Sequence, residues 1–292
     1  MTEIPTVDLD SKQAPAQIRG ASEEIGFFYL RGHGVSDRVV ESARAAARDF
    51  FALPLTEKSA VSVDELHRGY VGFEQAHLSP EAETDVKESF VWGVDRARDP
   101  LRPLVGPNPW PRGFPGLRAA LEPYFHAVLE SGTRLLVSFA LALDLPEDYF
   151  VERYREPLAR GSAIHYPPEP SGRSLGSSAH TDYGGLTLVA QDDVGGLQVE
   201  TAAGRWTDVP PLPGHFVINI GDLMALWTDG RFRSTRHRVL SPTSRHRYTM
   251  AIFFDPSYDT VIEAGGTTLV CGDYVRGRFD DVFAYRRPRS TT

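Results

Sequence analysis

The sequence predicts a mixed α/β fold with a mainly β core: a double-stranded β-helix (jelly-roll, cupin-like) flanked by N-terminal helices and one long supporting helix. Three observations predict this fold. Eight short apolar runs lie between residues 162 and 255, separated by Gly, Pro, Asp and Asn. Apolar residues recur at helical spacing from about Phe114 to Leu143. Shorter helical patterns cover 17–25 and 37–51.

The first 110 residues are predicted to form an N-terminal cap region. Two short strands are expected at 4–9 and 26–30, and a helix at 37–51 with Ser36 as its N-cap. Six prolines between residues 100 and 115 predict an irregular connector, which is the candidate flap of the protein.

The remaining chain divides into three parts of the same single catalytic domain, 1–292. The supporting helix occupies 111–150, the jelly-roll core 158–256 and a polar C-terminal tail 257–292, which is expected to pack on the outside. The core strands are expected near 162–166, 176–181, 185–191, 196–200, 205–208, 215–220, 233–240 and 246–255.

Composition limits the classes of partner. The net charge is −8 and the 31 basic residues are scattered, so the sequence favours a small-molecule substrate over nucleic acid. Cys271 is the single cysteine, which excludes an intramolecular disulfide and fits the cytoplasm. No apolar run reaches the ~20 residues of a membrane span, and no signal peptide is expected. Without a spare amphipathic helix, we expect a monomer.

The tripeptide His180-Thr181-Asp182 carries the chemistry of the core. Side chains two apart on a strand point to the same face, so the imidazole and the carboxylate can hold one metal ion. His-x-Asp alone often arises by chance, and a third ligand is needed. His237, 57 residues after His180, is the best candidate. Two histidines and a carboxylate on one face of an ion form the arrangement of non-haem Fe(II) oxygenases.

An ordered set of motifs surrounds these three residues. It comprises Ile4-Pro5, Asp8-Leu9, Gly26-Phe27-Phe28-Tyr29-Leu30, His33-Gly34, His165-Tyr166-Pro167-Pro168, Leu186-Thr187, Gly195-Gly196-Leu197-Gln198-Val199, Val217-Ile218-Asn219-Ile220-Gly221-Asp222, His237-Arg238-Val239 and Arg247-Tyr248-Thr249. Over nearly its whole length, the chain resembles the isopenicillin N synthase-like family of Fe(II)/2-oxoglutarate-dependent dioxygenases. The resemblance implies that Fe(II), 2-oxoglutarate and O2 are used to hydroxylate, desaturate or cyclise a small molecule of specialised metabolism, with release of succinate and CO2.

The resemblance also implies where 2-oxoglutarate is held. Arg247 and Thr249 share a strand face and match the family's Arg-x-Ser pair, with threonine in place of serine. An arginine fork suits a carboxylate because it donates two parallel hydrogen bonds. Tyr166 matches a tyrosine whose hydroxyl reaches the bound carboxylate. Ile164 stands where plant members often have asparagine, so that contact is absent or replaced.

Five residues are candidates for substrate contact. Phe253 lies six residues after Arg247 and should share its strand face, and Val189 follows Asp182 by seven. Tyr70, Phe90 and Trp92 are expected to form the outer wall, because N-terminal elements cap the barrel mouth in this family. Ordinary core packing is the alternative role for each of these five side chains.

Three other functions remain open at this point. An oxidase of the isopenicillin N synthase type uses the same iron ligands without 2-oxoglutarate, and the arginine pair does not distinguish it. A non-catalytic jelly-roll binding protein would have no need of three ligands. A zinc hydrolase would also accept two histidines and a carboxylate, but Arg247 and Thr249 would then have no role.

Overall fold

The computed structural model describes residues 3–73, 85–171 and 174–283, and within these ranges twelve strands form two sheets that face each other. The eight strands of the larger sheet are β1 (Thr6–Asp8), β2 (Phe27–Arg31), β3 (Gly69–Val71), β4 (Glu88–Gly93), β5 (Arg160–Tyr166), β7 (Leu186–Ala190), β10 (Phe216–Ile220) and β12 (Arg247–Phe254). The four strands of the smaller sheet are β6 (Leu175–His180), β8 (Leu197–Glu200), β9 (Trp206–Asp208) and β11 (His237–Leu240).

The core has the topology of a double-stranded β-helix, as predicted. The larger sheet has the order β1-β2-β10-β7-β12-β5-β4-β3 and the smaller sheet β6-β11-β8-β9. The eight strands from β5 to β12 therefore supply four central strands of the larger sheet and the whole smaller sheet. Their inner faces meet across a cavity. All eight overlap their predicted ranges, and β11 is shorter than the predicted 233–240.

The N-terminal region does more than cap this core. β1 and β2 extend the larger sheet beyond β10, and β3 and β4 extend it beyond β5. The sheet is therefore continuous across the predicted boundary between the cap and the core.

The first, second and longest of the seven described helices pack on the larger sheet. The helices are α1 (Ala14–Glu24), α2 (Asp37–Phe51), α3 (Leu55–Ser59), α4 (Pro115–Ala142), α5 (Tyr149–Arg153), α6 (Asp222–Trp227) and α7 (Cys271–Val282). The supporting helix α4 begins at Pro115. Proline suits this position because an N–H in the first turn has no partner within the helix, so its absence loses no hydrogen bond. It packs on β12, α1 and α2, and Leu121, Leu135 and Phe139 are fully buried there. Ser36 is at the N-cap of α2 as predicted, although its side chain makes no capping hydrogen bond.

The proline-rich segment is irregular, as predicted, and is tied to the N-terminal region by one buried arginine. The Arg68 guanidinium donates to the backbone oxygen of Val94 at 3.0 Å and to the side-chain oxygen of Asn108 at 3.0 Å. Its function as a flap stays a prediction.

The prediction of a polar outer tail after residue 256 is wrong. This part of the chain forms a hairpin of β13 (Val261–Ala264) and β14 (Thr267–Val270), followed by α7. Cys271, Val275 and Phe279 are buried in a separate apolar cluster. Their spacing of four residues is helical and apolar, and this pattern outweighs the polar residues between them. Residues 284–292 of the predicted tail lie outside the described ranges. Among the described helices, none has the length and apolar character needed to cross a bilayer.

Candidate active site

A cavity of about 180 Å³ lies between the two sheets. The larger sheet contributes Ser162, Ile164, Tyr166, Thr187, Val189, Asn219, Arg247, Thr249, Ala251 and Phe253 to its wall. The smaller sheet contributes Ser177, His180, Leu197, His237 and Val239. Because side chains alternate along a strand, these are the inward-facing residues of each strand.

The predicted ligands His180, Asp182 and His237 meet at one end of the smaller sheet. β6 ends at His180 and β11 begins at His237, and these two residues are directly paired across the strands. Asp182 follows β6 instead of lying within it, yet its Oδ1 is 3.7 Å from His180 Nε2 and 3.8 Å from His237 Nε2. One ligand atom from each residue lies within 4.8 Å of the others.

Neighbouring groups hold the three side chains with their ligand atoms free. His180 Nδ1 donates to the Ser178 carbonyl at 2.7 Å and His237 Nδ1 donates to the Thr235 carbonyl at 3.3 Å. Since a carbonyl only accepts, each Nδ1 carries the proton and each Nε2 keeps its lone pair for a metal. These hydrogen bonds select the tautomer that coordination requires.

Hydrogen bonds to Oδ2 orient the Asp182 carboxylate, whose Oδ1 faces the histidines. Thr187 and Asn219 donate to Asp182 Oδ2 at 2.5 Å and 2.7 Å. Thr187 and Asn219 are cross-strand partners on β7 and β10, so the larger sheet positions a ligand that follows the smaller one. Oδ1 is left to face the two histidines.

Electrostatics favour the protonation states that bind a metal. Burial and the neighbouring His237 lower the pKa of His180 to about 4, so its imidazole is neutral near pH 7. Burial alone would raise the pKa of Asp182, but His237, His180 and the hydrogen bonds from Asn219 and Thr187 outweigh it and lower the pKa. Asp182 is therefore an ionised ligand.

The donor set fits Fe(II). Two neutral imidazoles and one carboxylate on one face leave the opposite positions of an ion to open onto the cavity. No fourth His, Cys, Asp or Glu joins this group among the described residues, as a closed structural zinc site would require.

Beyond the triad, the cavity wall contains a second set of predicted residues. Arg247 is 1 % exposed, and its guanidinium carbon lies 4.7 Å from the ring centre of Tyr166, its cross-strand partner. Arg247 Nη2 approaches Gln191 Oε1 at 3.4 Å, whereas Arg247 Nε, Arg247 Nη1 and Thr249 Oγ1 have no hydrogen-bond partner. Among the residues that the structure describes, three buried polar atoms on one strand are thus unpaired.

The candidate substrate residues fall into two groups. Phe253 and Val189 lie on the cavity wall. Tyr70, Phe90 and Trp92 do not: all three are at most 3 % exposed and pack in the main core with the helices. Their prediction as an outer wall is wrong because the alternation of β3 and β4 has the opposite phase.

The neighbours of those three residues line the cavity instead. Val71, Ser89 and Val91 face it from β3 and β4. Tyr70 donates instead to the Glu88 carboxylate at 2.6 Å on the far side of the sheet.

Several cavity residues were not predicted. They are Phe27, His67, Lys87, Arg160, Tyr183, Phe279 and Phe283. Arg160 lies six residues before Tyr166 on the same face of β5, but the strand predicted at 162–166 did not include it. Phe279 and Phe283 were not predicted because α7, which contains Phe279 and ends just before Phe283, was not identified from the sequence.

The histidines that were not predicted as ligands lie outside the triad. His165 points to the opposite face from Tyr166 and is bonded to Glu88 at 2.8 Å and His246 at 2.8 Å.

Asp222 also lies outside the triad. It accepts hydrogen bonds from Thr181 at 3.1 Å and Ser234 at 2.6 Å, in keeping with a structural role.

Comparison with known proteins assigns this geometry to a family. Residues 146–256 match the 2OG-Fe(II) oxygenase superfamily, and residues 4–113 match the family described as non-haem dioxygenase in morphine synthesis N-terminal. A 2-oxoglutarate-dependent dioxygenase of Aspergillus niger is 36% identical over 270 residues, covering 86% of this chain and 84% of the relative. The chain belongs to the 2OG-Fe(II) oxygenases.

Other relatives and solved structures agree with this assignment. A homoarginine-6-hydroxylase of rice is 33% identical over 268 residues, covering 88% of this chain and 81% of the relative. A Neurospora crassa protein solved in complex with alpha-KG and thymine superposes with a TM-score of 0.85 at 25% identity, covering 95% of this chain and 96% of that one. This 2OG-Fe(II) oxygenase is therefore a 2-oxoglutarate-dependent dioxygenase with His180, Asp182 and His237 as its iron-binding triad. The comparisons favour it over the oxidase that works without 2-oxoglutarate.

Proposed function

We propose that Arg247, Thr249 and Tyr166 bind the far carboxylate of 2-oxoglutarate, whose keto acid end then faces the triad, and that a small molecule in the rest of the cavity is oxidised. The observation that carries this proposal is the set of unpaired atoms Arg247 Nε, Arg247 Nη1 and Thr249 Oγ1. A buried donor without a partner costs about 1–3 kcal/mol. A carboxylate in the cavity that accepts from the guanidinium and from Thr249 Oγ1 would reduce this cost.

The surroundings of Arg247 hold its guanidinium ready for a carboxylate. Its face lies against the Tyr166 ring, and one nitrogen is directed to Gln191. An arginine that is stacked and partly bonded loses little conformational entropy when a ligand binds. Ile164, which also lies on the wall, contributes an apolar side chain at the position where the family's plant members often have asparagine.

The residues around the triad support an oxidation that must exclude water. Bound Fe(II) would supply the activation of O2, while the protein supplies binding and orientation. Val189, Leu197 and Val239 line the cavity between the two sheets with apolar side chains. Such a wall keeps bulk water from the reacting atoms. The product is a hydroxylated, desaturated or cyclised small molecule, with succinate and CO2 released.

An anaerobic titration of the Fe(II) protein with 2-oxoglutarate tests the proposal. We expect a saturable visible charge-transfer band, which forms when the keto acid chelates iron. R247M should weaken the affinity for 2-oxoglutarate by about tenfold or more, because a charge-assisted hydrogen bond contributes about 1.5–3 kcal/mol.

The matched control is R245M. Arg245 lies two residues before Arg247 but is exposed and paired with Asp193 at 3.0 Å. R245M should bind 2-oxoglutarate like the wild type. A band in R247M that saturates at the wild-type concentration would show that the far carboxylate is held elsewhere.

We also propose that the protein is a cytoplasmic monomer that acts on a small molecule and not on nucleic acid. It is supported by the single cysteine, Cys271, and by the scattered basic residues of an acidic chain. Light scattering in solution tests the monomer, and a dimer at micromolar concentration would contradict it. Cell fractionation with an antibody tests the location.

A further inference from the structure

Arg160 is a buried cation on the cavity wall that the proposed binding of 2-oxoglutarate does not use. It begins β5 and is 6 % exposed. Its cross-strand partner on β12 is Phe253, whereas Tyr166, at the other end of β5, pairs with Arg247. Six residues at about 3.4 Å each separate these two pairs by about 20 Å. Arg160 therefore lies at the opposite end of the cavity from the 2-oxoglutarate residues.

The guanidinium of Arg160 is held on two sides. Nη2 donates to Asp255 Oδ2 at 2.9 Å, and Asp255 is fully buried. The guanidinium carbon lies 4.6 Å from the ring centre of Phe279 and 5.7 Å from that of Phe253. Nη1 is shielded from water and has no hydrogen-bond partner in the described part of the chain.

This unpaired nitrogen is one of few such atoms on the cavity wall. Within residues 3–73, 85–171 and 174–283, the wall has four buried side-chain N or O atoms without a hydrogen-bond partner. Three belong to Arg247 and Thr249, which the proposed function pairs with 2-oxoglutarate. The fourth is Arg160 Nη1. The other cation on the wall, Lys87, is already paired with Asp85 at 2.9 Å and Ser177 at 2.9 Å.

Arg160 is also close to the triad in the fold. Phe253 pairs on its other side with Thr187, which donates to Asp182. Two strand spacings of about 4.8 Å thus separate the backbones of Arg160 and Thr187. Asp255 Oδ1 accepts from the Gly185 backbone at 2.8 Å, which joins the same ion pair to the loop after Asp182. A molecule bonded to Arg160 would therefore extend towards the iron ligands.

We propose that Arg160 binds the substrate, with Nη1 donating to an acceptor oxygen of a carboxylate or a neutral carbonyl attached to an apolar body. This inference rests on the proposed function, because it takes the opposite end of the cavity as occupied by 2-oxoglutarate. Asp255 balances the charge of Arg160, so the site accommodates a neutral carbonyl as well as an anion. Phe253 and Phe279 beside the guanidinium provide the apolar contact for the rest of the substrate.

Binding of three matched probes to the anaerobic Fe(II)–2-oxoglutarate protein tests this role. Toluene has no acceptor oxygen, benzamide has a neutral carbonyl and benzoate has a carboxylate. Ligand-observed NMR measures the affinity, and the extra line broadening caused by Fe(II) reports that a probe lies near the triad. We expect benzamide, benzoate or both to bind about tenfold or more tightly than toluene. The two oxygen-bearing probes distinguish the carbonyl from the carboxylate.

Two variants remove the Nη1 group of Arg160 while protecting the fold. R160K keeps a cation opposite Asp255, and R160M/D255N removes both charges so that neither is left buried and unpaired. Each should lose the preference for the oxygen-bearing probes. R153M is the control: Arg153 stacks on Tyr149 at 4.0 Å, and neither residue lies on the cavity wall.

The 2-oxoglutarate titration on the same samples separates the two proposals. A normal charge-transfer band with a lost probe preference in either variant supports the role of Arg160. A normal band with the preference intact in both variants, or no preference in the wild type, overturns it and leaves the proposed function standing. Loss of the band in both variants also overturns it, because Arg160 would then belong to the framework of the iron site.

Discussion

Asn219 donates a 2.7 Å hydrogen bond to Asp182 Oδ2, which leaves Asp182 Oδ1 facing the two histidines of the triad. The amide lies on β10 of the larger sheet, and the carboxylate follows β6 of the smaller one. This contact between the sheets, together with the one from Thr187, orients a metal ligand.

Replacing Asn219 by leucine should weaken Fe(II) binding about 10–100-fold, because groups that orient a metal ligand contribute about this much to metal affinity. Competition with a chelator under anaerobic conditions measures the change. Gln198→Leu is the control, since Gln198 donates to the Asp208 carboxylate at 2.8 Å on the exposed side of the smaller sheet. Equal iron affinity in N219L and the wild type would mean that Thr187 alone orients Asp182.

Replacing His180 or Asp182 by alanine should abolish iron binding and turnover and leave the fold intact. Each variant retains two ligands, which do not complete the facial set. Iron content after anaerobic reconstitution and far-UV circular dichroism measure the two effects. His215→Ala should keep its iron, because His215 is bonded to the Pro213 carbonyl outside the cavity. Full activity in H180A or D182A would contradict the assignment of the triad.

The sequence was sufficient to predict the core strands and the three iron ligands. Alternating apolar residues with Gly and Pro between them have a period that only strands satisfy. His180 and Asp182 are two apart, and a third histidine on a later strand completes a set whose chemistry is recognisable without coordinates. Family motifs then placed Arg247 and Thr249.

The residues that were missed depend on contacts between distant segments. Thr187 and Asn219 are ordinary strand residues, and only the pairing of β7 with β10 brings them to Asp182. The phase of β3 and β4 could not be read from the sequence, because both faces of β4 carry apolar residues. Because of this ambiguity, Phe90 and Trp92 were predicted to form the outer wall of the site, whereas they face the main core.

Replacing Thr249 by valine should raise the Kd for 2-oxoglutarate about tenfold, since the buried hydroxyl of Thr249 is proposed to donate to a carboxylate. Anaerobic titration of the charge-transfer band measures this Kd. Thr249→Ser is the matched control. It keeps the hydroxyl and introduces the serine that is usual in the family, so it should bind 2-oxoglutarate like the wild type. Wild-type affinity in T249V would limit the carboxylate site to Arg247 and Tyr166.

Replacing Glu88 by glutamine should lower the free energy of unfolding by about 3–5 kcal/mol, the cost of leaving a buried charge without its partner. Glu88 is 2 % exposed and accepts from Lys58 Nζ at 2.7 Å. Urea unfolding near pH 7 measures the change. Glu152→Gln is the control, because the Glu152–Arg155 pair is exposed and should contribute less than about 1 kcal/mol.

The effect of Glu88 on stability should depend on pH. Burial alone would raise its pKa, but hydrogen bonds from His165, Lys58 and Tyr70 outweigh it and lower the pKa. The stabilisation is therefore fully present above the unfolded-state pKa of about 4.3, and it is lost as the pH falls through the lower folded-state value. The difference in stability between the wild type and E88Q should shrink below about pH 4. A difference that stays constant to pH 3 would contradict the lowered pKa.

Replacing Gly184 by alanine should disturb the iron site through the loop that follows Asp182. A Cβ at this position would lie 1.7 Å from Asp255 Oδ1, so either the loop or the Arg160–Asp255 pair must move. Overpacking of this kind costs about 1–3 kcal/mol of stability. We expect G184A to bind Fe(II) about tenfold more weakly, because displacement of the loop moves the Asp182 carboxylate.

Gly20→Ala is the control for this variant. Gly20 lies within α1, and a Cβ there would have no atom within 4 Å. G20A should therefore raise the free energy of unfolding by about 0.5–1 kcal/mol and leave iron affinity unchanged. Chelator competition and urea unfolding on both variants separate the local effect from a general loss of stability. Wild-type iron affinity in G184A would show that the loop adjusts without moving Asp182, and that Thr187 and Asn219 alone fix the carboxylate.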